Sequence, residues 1–426
     1  MPGWPDPDPA APDRIPGAGS GGVPGGARSG LPWGLSIDPR ILGVARAGPR
    51  VAGFLLRSRR RTAGMAPDDH VIAVRTTPGL AAQALLDEVL IAALRHPDLL
   101  PSEEDYAPAS ADLQAARALF EERGWLERPT DYHQDPPPPD DVHAVAGHGF
   151  EHVTFASGWE PYSDEPGRAR WLEHVANRTV HAWVSPAPGG SRASWLVCVH
   201  GFGMGQRPWV DLRSFRAADL QRRGIGVAVL VLPLHGPRAS GRVRGEDLMT
   251  IDLVDSMHGM AQATWDLRRL IRWIRDRYGA NEVGVSGQSL GALVCSLAAS
   301  LDGGLACVIA GVPVVDLPDV FRRHSPPDIA RRAAEFGALG SVADDVHRVV
   351  SPLAMPCAVP FERRYIFGGL ADRMSSFGQA HRLWLHWDRP ALAAYHGGHV
   401  GFFWSGAVKG FTADALESSF PGSRRS

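Results

Sequence analysis

Ser289 stands between two glycines in the pentapeptide Gly287-Gln288-Ser289-Leu290-Gly291. A serine in that pattern can serve as a nucleophile, because G-x-S-x-G holds the hydroxyl on a sharp turn between a strand and a helix. The pattern alone is weak in a chain with 48 glycines, where an ordinary strand-to-helix turn looks the same. Its flanks give it weight. Val283-Gly284-Val285 reads as a buried strand, and Ala292-Leu293-Val294-Cys295-Ser296-Leu297-Ala298-Ala299 as a small-residue helix packed on a sheet. Strain in the turn and the closeness of the neighbouring elements both call for glycine at 287 and 291.

A serine hydroxyl is a poor nucleophile at neutral pH. It needs a base, a group that orients the base, and donors for the oxyanion that develops. On a turn of this kind the acid and then the base follow the serine along the chain. Arg363-Arg364-Tyr365-Ile366-Phe367-Gly368-Gly369-Leu370-Ala371-Asp372 reads as a strand running into a loop that ends on an acid, which makes Asp372 the candidate orienting carboxylate. A plain helix N-cap is its structural alternative. Asp388 and Asp316 are weaker candidates, the first because it precedes a strand, the second because it follows an earlier one. After the last strand candidate comes His396-Gly397-Gly398-His399-Val400-Gly401. His399 lies past two glycines in a loop and is the candidate base, whereas His396 reads as a packing residue at the strand end. The pair has no third metal ligand at recognisable spacing, and no metal or other cofactor is expected.

The oxyanion donors should include one from the loop after an early central strand. Trp195-Leu196-Val197-Cys198-Val199 is followed by His200-Gly201-Phe202-Gly203, an H-G-x-G loop whose glycines allow close backbone approach. The backbone N–H groups of Phe202 and Leu290 are the candidate donors. His200, Gly203 and Arg238 are candidate substrate contacts, Arg238 because it closes the next strand, where ligands bind in open sheets.

These groups need a scaffold. Strand candidates fall at residues 151–156, 178–185, 194–200, 226–233, 282–286, 305–312, 363–369 and 391–396, with helical patterns near 209–223, 252–277, 290–301 and 373–387. That alternation predicts a mostly parallel eight-stranded sheet with helices on both faces. Residues 1–65 are rich in Gly, Pro and Ala and are expected to be mostly disordered. Arg57, Arg59, Arg60 and Arg61 read as a solvated charge cluster. Residues 66–134 are expected to form a small helical lobe: Thr77-Pro78 looks like a cap and first turn, Leu85, Leu86, Val89, Leu90, Ala93 and Leu94 recur at helical spacing, and a second helix runs from about 110 to 123. Four consecutive prolines mark 135–145 as a stiff linker. Residues 146–415 form the main domain, 313–362 a lid-like insertion within it, and 416–426 a flexible tail.

Composition narrows the function classes. A net charge of -2 gives no reason to expect nucleic acid or an anionic membrane as partner. No apolar run reaches the roughly 18 residues of a membrane span. The N-terminus lacks the cationic and apolar regions of a secretory signal, although a start near Met65 would read equally well. Cys198, Cys295 and Cys307 sit in apolar runs as small hydrophobes, and Cys357 completes a set without disulfide or metal spacing, which fits a reducing cytoplasm. The oligomeric state is not legible.

With HGFG at 200–203, GQSLG at 287–291, Asp372 and GGHVGF at 397–402 in this order, the chain resembles the α/β-hydrolase superfamily over about 146–415, with a texture closest to dienelactone-hydrolase-like and acyl-esterase-like branches. The resemblance implies a serine hydrolase acting on a small-molecule acyl substrate through an acyl-enzyme, without a cofactor. Acyl transfer on the same triad, or a non-catalytic binding protein of this fold, are the alternatives it leaves open.

Overall fold

The computed structural model describes residues 39–63, 75–94, 101–188, 194–239, 248 and 250–422. Residues 1–38, Met65 and the side chains of Arg57, Arg59, Arg60 and Arg61 lie outside the described residues.

Among the described residues nine strands form one sheet: β1 (His143–Ala146), β2 (Glu151–Ala156), β3 (Thr179–Ser185), β4 (Ser194–Val199), β5 (Ile225–Leu230), β6 (Val283–Gln288), β7 (Val308–Gly311), β8 (Arg364–Gly369) and β9 (Ala391–Tyr395). Their spatial order is β1-β2-β3-β5-β4-β6-β7-β8-β9. The β1–β2, β2–β3 and β3–β5 pairs are antiparallel and the other five are parallel. All eight expected strands are present. β1 is the addition, an exposed edge strand too short and too mixed in polarity to show as a pattern.

The helices are α1 (Pro39–Ala63), α2 (Pro78–Leu94), α3 (Tyr106–Glu122), α4 (Arg168–Leu172), α5 (Pro208–Ser214), α6 (Ala217–Arg222), α7 (Leu253–Tyr278), α8 (Leu290–Leu301), α9 (Leu317–His324), α10 (Pro327–Glu335), α11 (Ser341–Val346), α12 (Phe377–His386) and α13 (Gly406–Ser419). Alternation along β4 shows how they are layered. Trp195, Val197 and Val199 pack into the core shared with α7 and α8, while Leu196 and Cys198 join the opposite core with α6 and α13. Strands buried on both faces favour apolar residues: β5 and residues 195–199 of β4 are apolar throughout, and β6 departs at Ser286 and Gln288, just before the serine turn. The central helix α7 starts where the Asp252 carboxylate accepts the Val254 and Asp255 N–H groups, and ends at Gly279 with φ +58°.

Several expected boundaries are corrected. Residues 39–63, read as part of a disordered segment, form α1; Val51, Phe54 and Leu55 pack on Leu80 and Ala84 of α2 and on Ala371. The helices α1–α3 are no separate lobe but belong to one compact unit with the sheet. Ser110 of α3 donates to the Phe336 carbonyl at 2.6 Å, and Arg117 reaches Asp345 at 2.9 Å. The proline run is no free linker either. Arg268 and Arg269 of α7 donate to the carbonyls of Gln134 (2.7 Å), Pro137 (3.1 Å) and Pro138 (3.1 Å), so guanidinium groups strap it to the helix. Residues 416–420 continue α13 inward, with Leu416 and Phe420 buried. The insertion at 313–362 carries α9–α11, and Val315, Leu317, Ala333, Val346 and Val359 root it in the α7 core.

The α2 helix inverts the expected pattern. Leu85 and Leu86 are 42% and 38% exposed, whereas Asp87 and Glu88 are 0% and 4% exposed. Tertiary partners for the two acids decide which face turns inward.

Candidate active site

The six parallel strands end on one edge of the sheet, and the four motif-bearing loops leave from that edge: HGFG after β4, Ser289 after β6, Asp372 after β8 and His399 after β9. Open α/β sheets collect ligand-binding groups at this edge.

Ser289 has φ 56° and ψ -115°, a strained conformation for a residue with a Cβ. Its N–H donates to the Gly311 carbonyl at 2.9 Å, and its own carbonyl accepts from Val314 N at 3.2 Å, which ties the turn to the end of β7. The two glycines are steric necessities. A Cβ at 287 would lie 2.2 Å from Gly291 O, and one at 291 would lie 2.0 Å from Val199 O. At Gly201 a Cβ would stand 3.5 Å from Ser289 Cβ, so the HGFG loop lies directly against the serine. Leu290 opens α8, and a first-turn N–H has no intrahelical acceptor.

The HGFG loop is braced from below. Gly205, at φ +90°, donates its N–H to Asp211 at 3.1 Å, and the same carboxylate accepts from Trp183 Nε1 at 3.0 Å. Burial, against the pull of these two donors, raises the Asp211 carboxyl to about 6. His200 is fully buried, with Nδ1 2.8 Å from Gly201 O and Nε2 accepting from Leu232 N at 3.2 Å. Both ring nitrogens are spent on backbone, so His200 supports the loop and is not a substrate contact. Gly203, at φ +77°, is half-buried in the turn itself.

Arg238 is likewise an anchor. It is fully buried, with NH2 2.8 Å from Asp266 Oδ2 and 2.8 Å from Asn177 O, and NH1 3.0 Å from Val231 O. A guanidinium committed in this way does not reach a ligand.

Asp372 and His399 are brought together. His399 Nδ1 lies 2.8 Å from Asp372 Oδ2, both side chains being buried. The other oxygen, Oδ1, accepts from Met374 N at 2.8 Å and Ser375 N at 3.0 Å. Burial alone would lift the Asp372 carboxyl, but the adjacent imidazole, with the Ser375 hydroxyl and the Ser376 N–H, holds it below its ordinary value. Burial likewise opposes a charged His399, and Asp372 outweighs it, so the imidazole is raised. Ser375 Oγ joins the pair to the serine turn: it lies 2.8 Å from Asp372 Oδ2 and 3.0 Å from the carbonyl of Val312, the residue after Gly311. An ionised carboxylate only accepts, which assigns the His399 proton to Nδ1 and leaves Nε2 as the basic nitrogen.

The weaker candidates are elsewhere. Asp316 caps α9 and pairs with Arg382 at 2.8 Å. Asp388 is exposed, with Arg364 as its ionic neighbour at 3.9 Å. His396, expected to pack at the strand end, is exposed.

Sequence reading passed over Asp87. Its Oδ2 accepts the backbone N–H of His399 at 2.7 Å and that of Arg373 at 3.0 Å. Four residues earlier on α2, Gln83 Oε1 accepts Gly398 N at 3.0 Å. The available signal was a lone Gln and an adjacent acid pair inside an otherwise apolar helix.

A sequence model of the alpha/beta hydrolase fold matches residues 194–398. An uncharacterized protein of Mycobacterium tuberculosis strain CDC 1551 is 39% identical over 376 residues, covering 86% of this chain and 88% of the relative. Its counterpart in strain H37Rv matches to the same extent. Among solved structures, acetyl xylan esterase 1 from a Thermoanaerobacterium species has a TM-score of 0.48 and 13% identity, over 70% of this chain and 93% of that one. An acetyl xylan esterase from a Paenibacillus species has a TM-score of 0.47 and 15% identity, over 74% and 97%. The sheet, the serine turn and the loop order define an α/β-hydrolase fold, and the chain belongs to that superfamily. It is similar along most of its length to the mycobacterial proteins.

Proposed function

We propose that this protein is a serine hydrolase that cleaves an ester or related acyl bond of a small-molecule substrate. Ser289 Oγ attacks the acyl carbonyl, and His399 Nε2 takes its proton. The backbone N–H groups of Phe202 and Leu290 receive the developing oxyanion. The tetrahedral intermediate collapses as His399 returns the proton to the departing alcohol. Water then repeats the sequence on the acyl-enzyme and frees Ser289. Asp372 holds the imidazole in the tautomer that leaves Nε2 basic and stabilises the imidazolium.

The observation that carries this reading is the buried His399–Asp372 contact of 2.8 Å, at the same sheet edge as a serine strained at φ 56°. A strained serine costs stability, and a buried titratable pair with shifted proton affinities at the same sheet edge marks a functional site. The cysteines are free, which supports a reducing compartment such as the cytoplasm. No helix among the described residues is long and apolar enough to cross a membrane.

The test is a fluorophosphonate probe with mapping of the adduct, alongside turnover of short and long p-nitrophenyl esters. The expected result is a single adduct on Ser289, with label and turnover both lost in Ser289→Ala. An unlabelled Ser289 together with no turnover on any ester would overturn the proposal.

A further inference from the structure

The α2 helix lies far in sequence from the loops of the acid and the base, yet it touches both. One Asp87 oxygen accepts two N–H groups from different loops, that of Arg373 next to Asp372 and that of His399 itself. Gln83, one turn earlier, takes the N–H of Gly398. The glycines of the base loop report the same docking independently. A Cβ on Gly397 would lie 2.5 Å from Gln83 Oε1, one on Gly398 would lie 2.8 Å from Asp87 Oδ2, and one on Gly401 would lie 2.2 Å from Gln83 Oε1. The Gly-Gly-His-Val-Gly sequence is therefore shaped to receive α2.

The acid loop is held a second way. The Arg373 guanidinium pairs with Glu88 of α2 at 3.0 Å and lies 4.9 Å from the Phe54 ring centroid of α1. Arg50 of α1 meets the same Glu88 at 3.3 Å.

We propose that Asp87, seconded by Gln83, is a positioning residue for the catalytic pair: α2 fastens the Asp372 loop to the His399 loop and lends a second negative charge to the imidazole. This inference rests on the assignment of Asp372 and His399 as acid and base.

The charges around the pair fit that role. His399 is faced by Asp372 from the β8 loop and by Asp87 from α2, with the Ser375 hydroxyl 3.4 Å from Nδ1. Asp87 is faced by Asp372, His399 and Arg373, and its Oδ1 is buried without a hydrogen-bond partner. Burial and the nearby Asp372 push Asp87 up to about 6, against the pull of the two N–H donors. A carboxylate kept in so unfavourable a setting fixes geometry that a neutral apolar contact would leave loose.

The experiment compares full-length wild type with Asp87→Asn, Asp87→Ala and Gln83→Ala. The His399 imidazole is titrated by NMR, its signals assigned by their loss in His399→Gln, and kcat and KM for p-nitrophenyl acetate are measured across pH. Asp87→Asn keeps an acceptor for both N–H groups and removes the charge, so the His399 pKa should fall while the fold is retained. Asp87→Ala should lower kcat roughly ten- to a hundredfold with KM nearly unchanged. Gln83→Ala should lower kcat without moving the His399 pKa. An unchanged His399 pKa in Asp87→Asn, with kcat unchanged in the folded variants, would overturn the proposal. If Asp87→Ala fails to fold, Asp87→Asn and Gln83→Ala decide. The NMR titration needs no turnover, so an inactive wild type would remove the hydrolase reading while still testing Asp87 against His399.

Discussion

His399 meets two carboxylates through different groups: its ring Nδ1 lies 2.8 Å from Asp372 Oδ2, and its backbone N–H donates to Asp87 at 2.7 Å. The first contact sets the tautomer and the second sets where the residue sits. Asp372→Asn tests the first alone. An amide in place of Oδ2 presents N–H to a nitrogen that already carries a proton, so the imidazole turns over or takes the wrong tautomer. Turnover of p-nitrophenyl acetate should fall roughly a thousand- to ten-thousandfold, with the fold retained by circular dichroism. Wild-type rates in this variant would remove Asp372 as the group that orients the base.

The serine turn makes a steric prediction. A methyl on Gly291 would sit 2.0 Å from Val199 O and 2.6 Å from His200 O, and both are backbone atoms of a buried strand end that cannot swing aside. Gly291→Ala should cost about 3 kcal/mol or more in urea unfolding and abolish fluorophosphonate labelling. Gly410, on the exposed side of α13, has no atom within 4 Å of its would-be Cβ. Gly410→Ala should therefore stabilise by about 0.5–1 kcal/mol and leave labelling intact.

Much of this site is local in sequence, which is why it can be read there. The serine turn, the H-G-x-G loop, and the acid and base past their strand ends each announce themselves within about ten residues, by glycine placement beside a strand pattern. What periodicity misreads is set by distant partners. Apolar spacing pointed Leu85 and Leu86 of α2 inward, but Glu88 finds Arg373 and Asp87 finds two loop N–H groups, and the leucines turn out instead. A proline run reads as a linker because its carbonyls have no local partners, and Arg268 and Arg269 supply them from more than a hundred residues away. His200 and Arg238 were drawn toward the ligand by their place at strand ends, and hydrogen bonds to buried backbone claim both.

Arg238 gives a prediction of its own. It and Asp266 are both fully buried and 2.8 Å apart, so removing either strands a charge in the core. Arg238→Ala should destabilise by about 3–5 kcal/mol in urea unfolding. If the arginine only anchors, KM values for acidic and neutral esters should move together at a temperature where the variant is folded. A KM increase confined to acidic esters would restore it as a ligand contact.

The buried histidines predict how stability responds to acid. Burial lowers His200 to about 4, the nearby Arg238 adding to the effect and Gly201 O opposing it, while an unfolded chain titrates near 6.5. Between those values the unfolded state binds a proton that the folded state refuses, so this contribution is present above about pH 6.5 and is lost as the pH falls toward 4. Below that both states are protonated and the loss levels off. His133, His181 and His347, also lowered to about 4, act in the same direction. Asp87, Asp211 and Asp252, raised to about 6, oppose them, because there the folded state binds the proton first. The bulk pH curve mixes the two sets, so the cleaner measurement is a difference. The slope of unfolding free energy against pH between 6 and 4.5 counts the extra protons bound by the unfolded state, and His200→Gln should lower that count by close to one. Glutamine can still accept from Leu232 N, so the variant should fold. An unchanged slope would mean that His200 already carries a proton in the native state, and the hydrogen bond from Leu232 would have to be abandoned.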